Sequence, residues 1–143
     1  SRHRYFLDRY QEQAQPPLDQ PRVEVEDFVS DVRPAYERAT VVIAPLIASA
    51  GTNIKVMEAM AMRKAVVSTP AGINGLDLTS GHDVLVVSTG KEMADAIAGL
   101  FASPEKRVQI EQHARETVEQ HFDWQAIARK QSDLYRSLSA RPR

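Results

Sequence analysis

The chain has 143 residues, 43% of them hydrophobic and 26% charged, an ordinary globular composition for a single domain. A formal net charge of −1 gives no basis for a nucleic-acid partner or an anionic membrane. The lack of cysteine excludes disulfides and thiolate metal sites. No apolar run approaches the ~20 residues of a transmembrane segment. The basic start Ser1-Arg2-His3-Arg4 is followed by no hydrophobic signal segment, so a cytoplasmic protein is expected.

Residues 5–14 read as a helix with Phe6, Tyr10 and Ala14 at spacing four. The Pro-rich stretch 15–21 is a linker that no helix crosses. Residues 23–29 alternate, with Val23 and Val25 to one side and Glu24 and Glu26 to the other, which predicts a strand with one wet face at a sheet edge. Asp31 is placed to cap a short helix holding Pro34, Tyr36 and Ala39.

The run Val41, Val42, Ile43, Ala44 predicts a strand buried on both faces, and Pro45 stops it. Residues 48–51 form a small-residue loop. Thr52 or Asn53 then caps a helix over 54–62, and residues 65–69 predict a second buried strand ended by Pro70. After a polar loop at 77–83 come a strand at 84–87 and a helix at 91–102 with Met93, Ile97, Leu100 and Phe101 on one face. Ser103-Pro104 opens a helix presenting Ile110, Ala114, Val118 and Phe122. Asp123 caps the last helix, whose apolar stripe is Trp124, Ile127, Ala128, Leu134, Tyr135 and Leu138. Trp124 reads as a core anchor rather than a sugar-stacking residue. The tail 139–143 is expected to fray. Strand–helix alternation of this kind implies an α/β fold with a parallel sheet and helices on both faces.

Open parallel sheets place ligand sites beyond the carboxyl ends of their strands, where the loops after 41–44 and 65–69 lie. A helix N-terminus behind a small-residue loop offers free N–H groups and a positive dipole end to a phosphate. Lys55 falls in the first turn of that helix and Glu58 three positions on, so they share a face. A cation there opposes the dipole and makes better sense with an anion bound. Glu58, flanked by Met57, Ala59, Met60 and Ala61, is expected to be part-buried and to need a partner, which a ligand hydroxyl pair would supply. By spacing alone, a solvated Lys–Glu pair worth ~0.2–0.5 kcal/mol is the commoner reading. His82 beside Asp83 suggests acid/base work, but side chains at i and i+1 diverge, so an exposed loop histidine is expected. His113 and His121 read as surface or helix-end residues. Four histidines without ligand spacing argue against zinc, and there is no P-loop or Gly-x-Gly-x-x-Gly. No metal or cofactor is expected.

Ala44-Pro45-Leu46, the run from Gly51-Thr52-Asn53-Ile54-Lys55 to Glu58-Ala59-Met60-Ala61, Val66-Val67-Ser68-Thr69 and Gly72-Ile73-Asn74-Gly75-Leu76 resemble the group 1 glycosyltransferases of the GT-B fold. Phe28 to Pro34, His121-Phe122-Asp123-Trp124 and Leu134-Tyr135 agree with it. The similarity covers residues 23–138 and falls in the C-terminal, nucleotide-sugar-binding domain. It implies a Rossmann-like domain, incomplete here, with residues 1–22 as an N-terminal helix and linker. It also implies a nucleotide-diphosphate sugar as partner, Glu58 on the donor ribose, and Gly51, Thr52 and Lys55 on the diphosphate, with Asn53 among the substrate-binding residues. Bacterial relatives often work at the inner membrane face, so peripheral association there is implied too.

The sequence departs from the family pattern in three ways. Many relatives carry a first glutamate eight positions before the second, where this chain has Ala50. Arg63 and Ala65 stand where Gly and Pro are frequent. A left-handed residue at Arg63 would cost about 1–2 kcal/mol, so a different helix end is expected. The third departure is length: of the family order 3-2-1-4-5-6, the chain is expected to keep the third to sixth strands. The first phosphate loop and the N-terminal acceptor domain would then be missing. The 23–29 strand would pair directly with 41–44, pair with another chain in a homodimer, or stay loose, and intrachain pairing is the expectation. The functional reading is the donor-binding half of a glycosyltransferase, inactive in isolation. The alternatives are part of a sugar-nucleotide epimerase, or a binding or assembly module that kept the fold and lost catalysis.

Overall fold

A computed structural model describes residues 23–26, 28–49 and 51–139. The helix expected over 5–14, the Pro-rich linker, Ala50 and residues 140–143 lie outside them. The chain divides into two compact units, residues 1–34 and 35–143. Helix α1 runs Arg33–Arg38, and Asp31 caps it by accepting from the Arg33 N–H at 3.0 Å. Then follow β1 (Val41–Ala44), α2 (Ile54–Ala61), β2 (Ala65–Ser68), a 3-10 turn (Pro70–Ile73), β3 (Leu85–Val86), α3 (Gly90–Ala102), α4 (Pro104–His121) and α5 (Trp124–Ser139). None of the described helices is long and apolar enough to cross a membrane.

The sheet is parallel in the order β1-β2-β3, with Val41 opposite Ala65 and Val67 opposite Leu85. Because side chains alternate along a strand, β2 feeds two cores. Val66 joins Val56, Ala59 and Met60 of α2 on one face, and Ala65 and Val67 join Met93 and Leu100 of α3 on the other. Helix α4 serves both, through Ala114 and Ile110 respectively. Each buried Val, Leu or Ile contributes about 1.5–3 kcal/mol. The parallel α/β sheet with helices on both faces is the expected class.

The strand expected over 23–29 does not form among the described residues: 23–26, 28 and 29 carry no strand, and the sheet has only its three members. Val23, Val25, Phe28 and Val29 are exposed instead. Alternation marks a segment able to be a strand, but the hydrogen bonds of a strand belong to its partner. The direct pairing with β1 is therefore corrected.

Helix α2 also ends otherwise than expected. Arg63 takes φ 54°, the left-handed region. The Lys64 N–H donates to the Ala59 carbonyl and the Arg63 N–H to the Met60 carbonyl, both at 3.0 Å, the paired closure of a Schellman turn. The Arg115 guanidinium bonds the Ala61 carbonyl. These bonds satisfy carbonyls the helix would otherwise orphan, and the reversal lets β2 begin at Ala65. They offset the strain of a side chain in that region.

Trp124 is 83% exposed and anchors no core. Asp123 does cap α5, accepting from the Gln125 and Ala126 N–H groups at 2.9 and 3.4 Å. The side that α5 buries is the one carrying Ala126, however, and Ile127, Leu134, Tyr135 and Leu138 are exposed with Trp124. Phe101, expected on the inner face of α3, is exposed as well.

His82 and Asp83 do not diverge. Asp83 is 4% exposed, and its Oδ1 lies 2.8 Å from His82 Nδ1 and 2.7 Å from Thr117 Oγ1, while Oδ2 accepts from the Thr79 N–H at 2.8 Å. The 79–83 turn folds back on itself, which swings the two side chains together. The His82 ring stacks on His113 of α4 with centroids 3.8 Å apart. Asp83 thus ties the loop before β3 to α4. Burial alone would raise its carboxyl, but the bonds from Thr79, His82 and Thr117 outweigh it and hold the carboxyl below the ordinary value of 3.8.

Two outcomes follow from these contacts. Arg63→Gly should stabilise the chain by about 1 kcal/mol, read as a higher urea midpoint, because glycine adopts positive φ without strain. A depressed carboxyl contributes stability that is complete above its unfolded value of 3.8 and lost as pH falls through the folded value. Wild type should therefore exceed Asp83→Asn by about 1–3 kcal/mol at neutral pH, and the gap should close below about pH 4. A gap independent of pH would contradict the charged role of Asp83.

Candidate functional site

The carboxyl ends of β1 and β2 meet in a knot of short contacts. Ser68, fully buried at the end of β2, places its Oγ 3.3 Å from the Ala44 carbonyl. Gly72 lies so close above it that a Cβ would collide with Ser68 Oγ and stand 3.0 Å from the Ala44 carbonyl oxygen. Only glycine fits this approach. The Thr69 hydroxyl donates to the Leu46 carbonyl and accepts from the Gly72 N–H at 3.2 Å. A cleft of about 430 Å³ opens beside this knot, lined by Leu46, Ile47, Thr69, Pro70, Ala71 and Ser88.

Asn53 occupies the N-cap position of α2 with extended backbone, but its side chain caps nothing. Its amide nitrogen reaches the Gly72 carbonyl at 2.9 Å, the Ala71 carbonyl at 3.3 Å and Ser49 Oγ at 3.1 Å. Asn53 thereby joins the loop after β1 to the loop after β2. Ser49 shapes its own loop, donating to the Gly51 carbonyl at 2.8 Å. The Val56 N–H donates to the Asn53 carbonyl at 3.0 Å, but with the cap side chain engaged elsewhere the Ile54 and Lys55 N–H groups are left without an acceptor among the described residues. Thr52, whose Oγ1 would lie 3.5 Å from a Cβ on Gly75, is exposed beside them. Gly75 needs to be glycine for its φ of 77°.

Gly51, Thr52, Lys55 and Glu58 are all exposed, and Asn53 is half-buried. The expectation of a part-buried Glu58 is corrected: on a helix, sequence neighbours stand ~100° apart, so Ala59 and Met60 face the core while Glu58 does not. The Lys55–Glu58 pair does not form either. Glu58 Oε2 instead accepts from the Tyr36 hydroxyl at 3.1 Å, which also lies 3.2 Å from the Lys55 carbonyl. Burial, then the bond to Glu58, push the Tyr36 phenol up to about 12. Sequence reasoning missed Tyr36, Ser49 and Thr69. Ser49 and Thr69 were legible only as members of small-residue loops. Tyr36, 22 positions before Glu58, left no local signal at all.

A three-stranded parallel sheet with helices on both faces, and a helix opening at the strand ends, define a Rossmann-like α/β architecture. Residues 4–103 match the family described as Glycosyl transferases group 1, and the chain belongs to that family. A glycosyltransferase from Rickettsia africae superposes with TM-score 0.78 at 20% identity, over 99% of this chain and 38% of that one. Anabaena HepE, solved in complex with UDP-glucose, gives 0.77 at 20%, over 94% and 37%. The C-terminal domain of a group 1 family protein from Francisella tularensis gives 0.69 at 19%, over 86% and 65%. No curated protein matches the chain in sequence. The likenesses establish the fold as that of the GT-B C-terminal domain, incomplete here, and the chain spans less than two thirds of each of these structures.

Proposed function

We propose that the chain is the donor-binding half of a group 1 glycosyltransferase, recognising the diphosphate and ribose of a nucleotide sugar. The observation that carries this reading is the α2 N-terminus, where Asn53 stands in the cap position but spends its side chain on Ala71, Gly72 and Ser49. An anion is the natural acceptor for the N–H groups this leaves, and the dipole end favours it. Lys55, which makes no ion pair among the described residues, adds a positive charge in the same turn. Glu58, on the next turn, is an acceptor for the ribose hydroxyls. Gly51 adds space, since a Cβ there would meet nothing within 4 Å.

In transfer, negative charge develops on the diphosphate as the glycosyl bond breaks. Fixed N–H dipoles and Lys55 stabilise that charge without reorganising. The acceptor would be held by the other half of such an enzyme, so this chain alone binds without turnover. The Anabaena relative's UDP-glucose complex supports a nucleotide-sugar donor.

Calorimetric titration with uridine, guanosine and adenosine diphosphates should show binding at about millimolar concentration or tighter for at least one base. Lys55→Ala should weaken that nucleotide and inorganic pyrophosphate alike, by roughly three- to tenfold. Glu58→Ala should weaken the nucleotide and spare pyrophosphate. Binding indifferent to both changes would place the site elsewhere.

A further inference from the structure

The ring of Tyr36 packs against the core cluster that holds Val56, Ala59 and Met60, so its hydroxyl is fixed in place by a rigid body. That hydroxyl lies 3.1 Å from Glu58 Oε2 and 3.2 Å from the Lys55 carbonyl oxygen. A carboxylate and a carbonyl have no proton to give, so the phenol is the donor, and its single O–H favours the charged carboxylate as the stronger acceptor. Among the described residues Glu58 makes no other side-chain hydrogen bond and no ion pair.

We infer that Tyr36 is a positioning residue for nucleotide recognition: it holds Glu58 by Oε2 and leaves Oε1 to accept from the ribose hydroxyls, so that the site selects ribose over sugars lacking them. This rests on the donor-binding reading above. An exposed glutamate samples several rotamers and loses that freedom when it binds. A phenol seated on the core removes the freedom beforehand. With its second oxygen already engaged, the carboxylate is held facing the ligand, and a ligand that lacks hydroxyls gives Oε1 no matched donor. Loss of a matched polar contact of this kind is a strong basis for discrimination. The phenol keeps its proton through the neutral range, being pushed up to about 12, so the donor is present wherever the protein is folded near neutral pH.

The test compares three probes on the whole chain by calorimetry: the tightest-binding of uridine, guanosine and adenosine diphosphates, its 2′,3′-dideoxy counterpart, and inorganic pyrophosphate. Wild type should prefer the ribonucleotide over the dideoxynucleotide. Tyr36→Phe keeps the packed ring and should cut that preference roughly five- to tenfold with pyrophosphate affinity unchanged. Glu58→Gln should remove most of the preference. If Tyr36→Phe retains the preference while Glu58→Gln loses it, the positioning role is overturned and the donor-binding reading stands. If Tyr36→Phe also loses pyrophosphate binding, its role is structural and the inference fails. If wild type binds none of the nucleotides, or shows no preference, the donor-binding reading fails and takes this inference with it.

Discussion

β2 has no exposed residue: Ala65, Val66, Val67 and Ser68 are each 0% exposed, and that double burial is the constraint the rest of the structure answers. A strand covered on both faces needs a helix layer on each, which α2 and α3 supply while α4 spans between them. It also needs every polar atom satisfied, since an unpaired buried group costs about 1–3 kcal/mol. Ser68 meets this through the Ala44 and Thr69 carbonyls. The same demand draws Gly72 down onto the strand end, where a larger residue would not fit.

The site is a consequence of that packing. Gly72 brings the loop after β2 within reach of the Asn53 amide, and Asn53 fastens it to the loop after β1. A cap residue occupied in this way leaves the Ile54 and Lys55 N–H groups at the helix start uncapped. The sheet, the Gly72 approach and the α2 entrance thus form one chain of cause, from buried valines to the uncapped Ile54 and Lys55 N–H groups.

Periodicity made α2 and β2 legible because their burial is local and strong; β1 was legible from its β-branched run and closing proline, although it is not buried on both faces as expected, with Ala44 buried and Ile43 exposed. The motif from Gly51 to Ala61 pointed to the family and to an anion at the helix start. Contacts made at a distance were not legible. Glu58 was read from its sequence neighbours, although α2 turns it away from Ala59 and Met60 toward Tyr36. Trp124 looked like an anchor by residue type, but α5 buries Ala126 instead. The described residues 23–26, 28 and 29 carry a strand's pattern but form no strand. Arg63 was judged by its strain alone, and the bonds that stabilise its left-handed turn come from Lys64, Met60 and Arg115. Propensity speaks for one residue at a time, whereas each of these outcomes was decided by a partner.

The account turns on where an anionic ligand meets the chain. Backbone amide shifts in a heteronuclear NMR titration with a nucleoside diphosphate test this directly. The largest changes should fall on residues 51–55, with Ala71 and Gly72 following through their bonds to Asn53. Changes centred on the opposite ends of the strands, around His82, Asp83 and Thr117, or spread evenly over the surface, would contradict it.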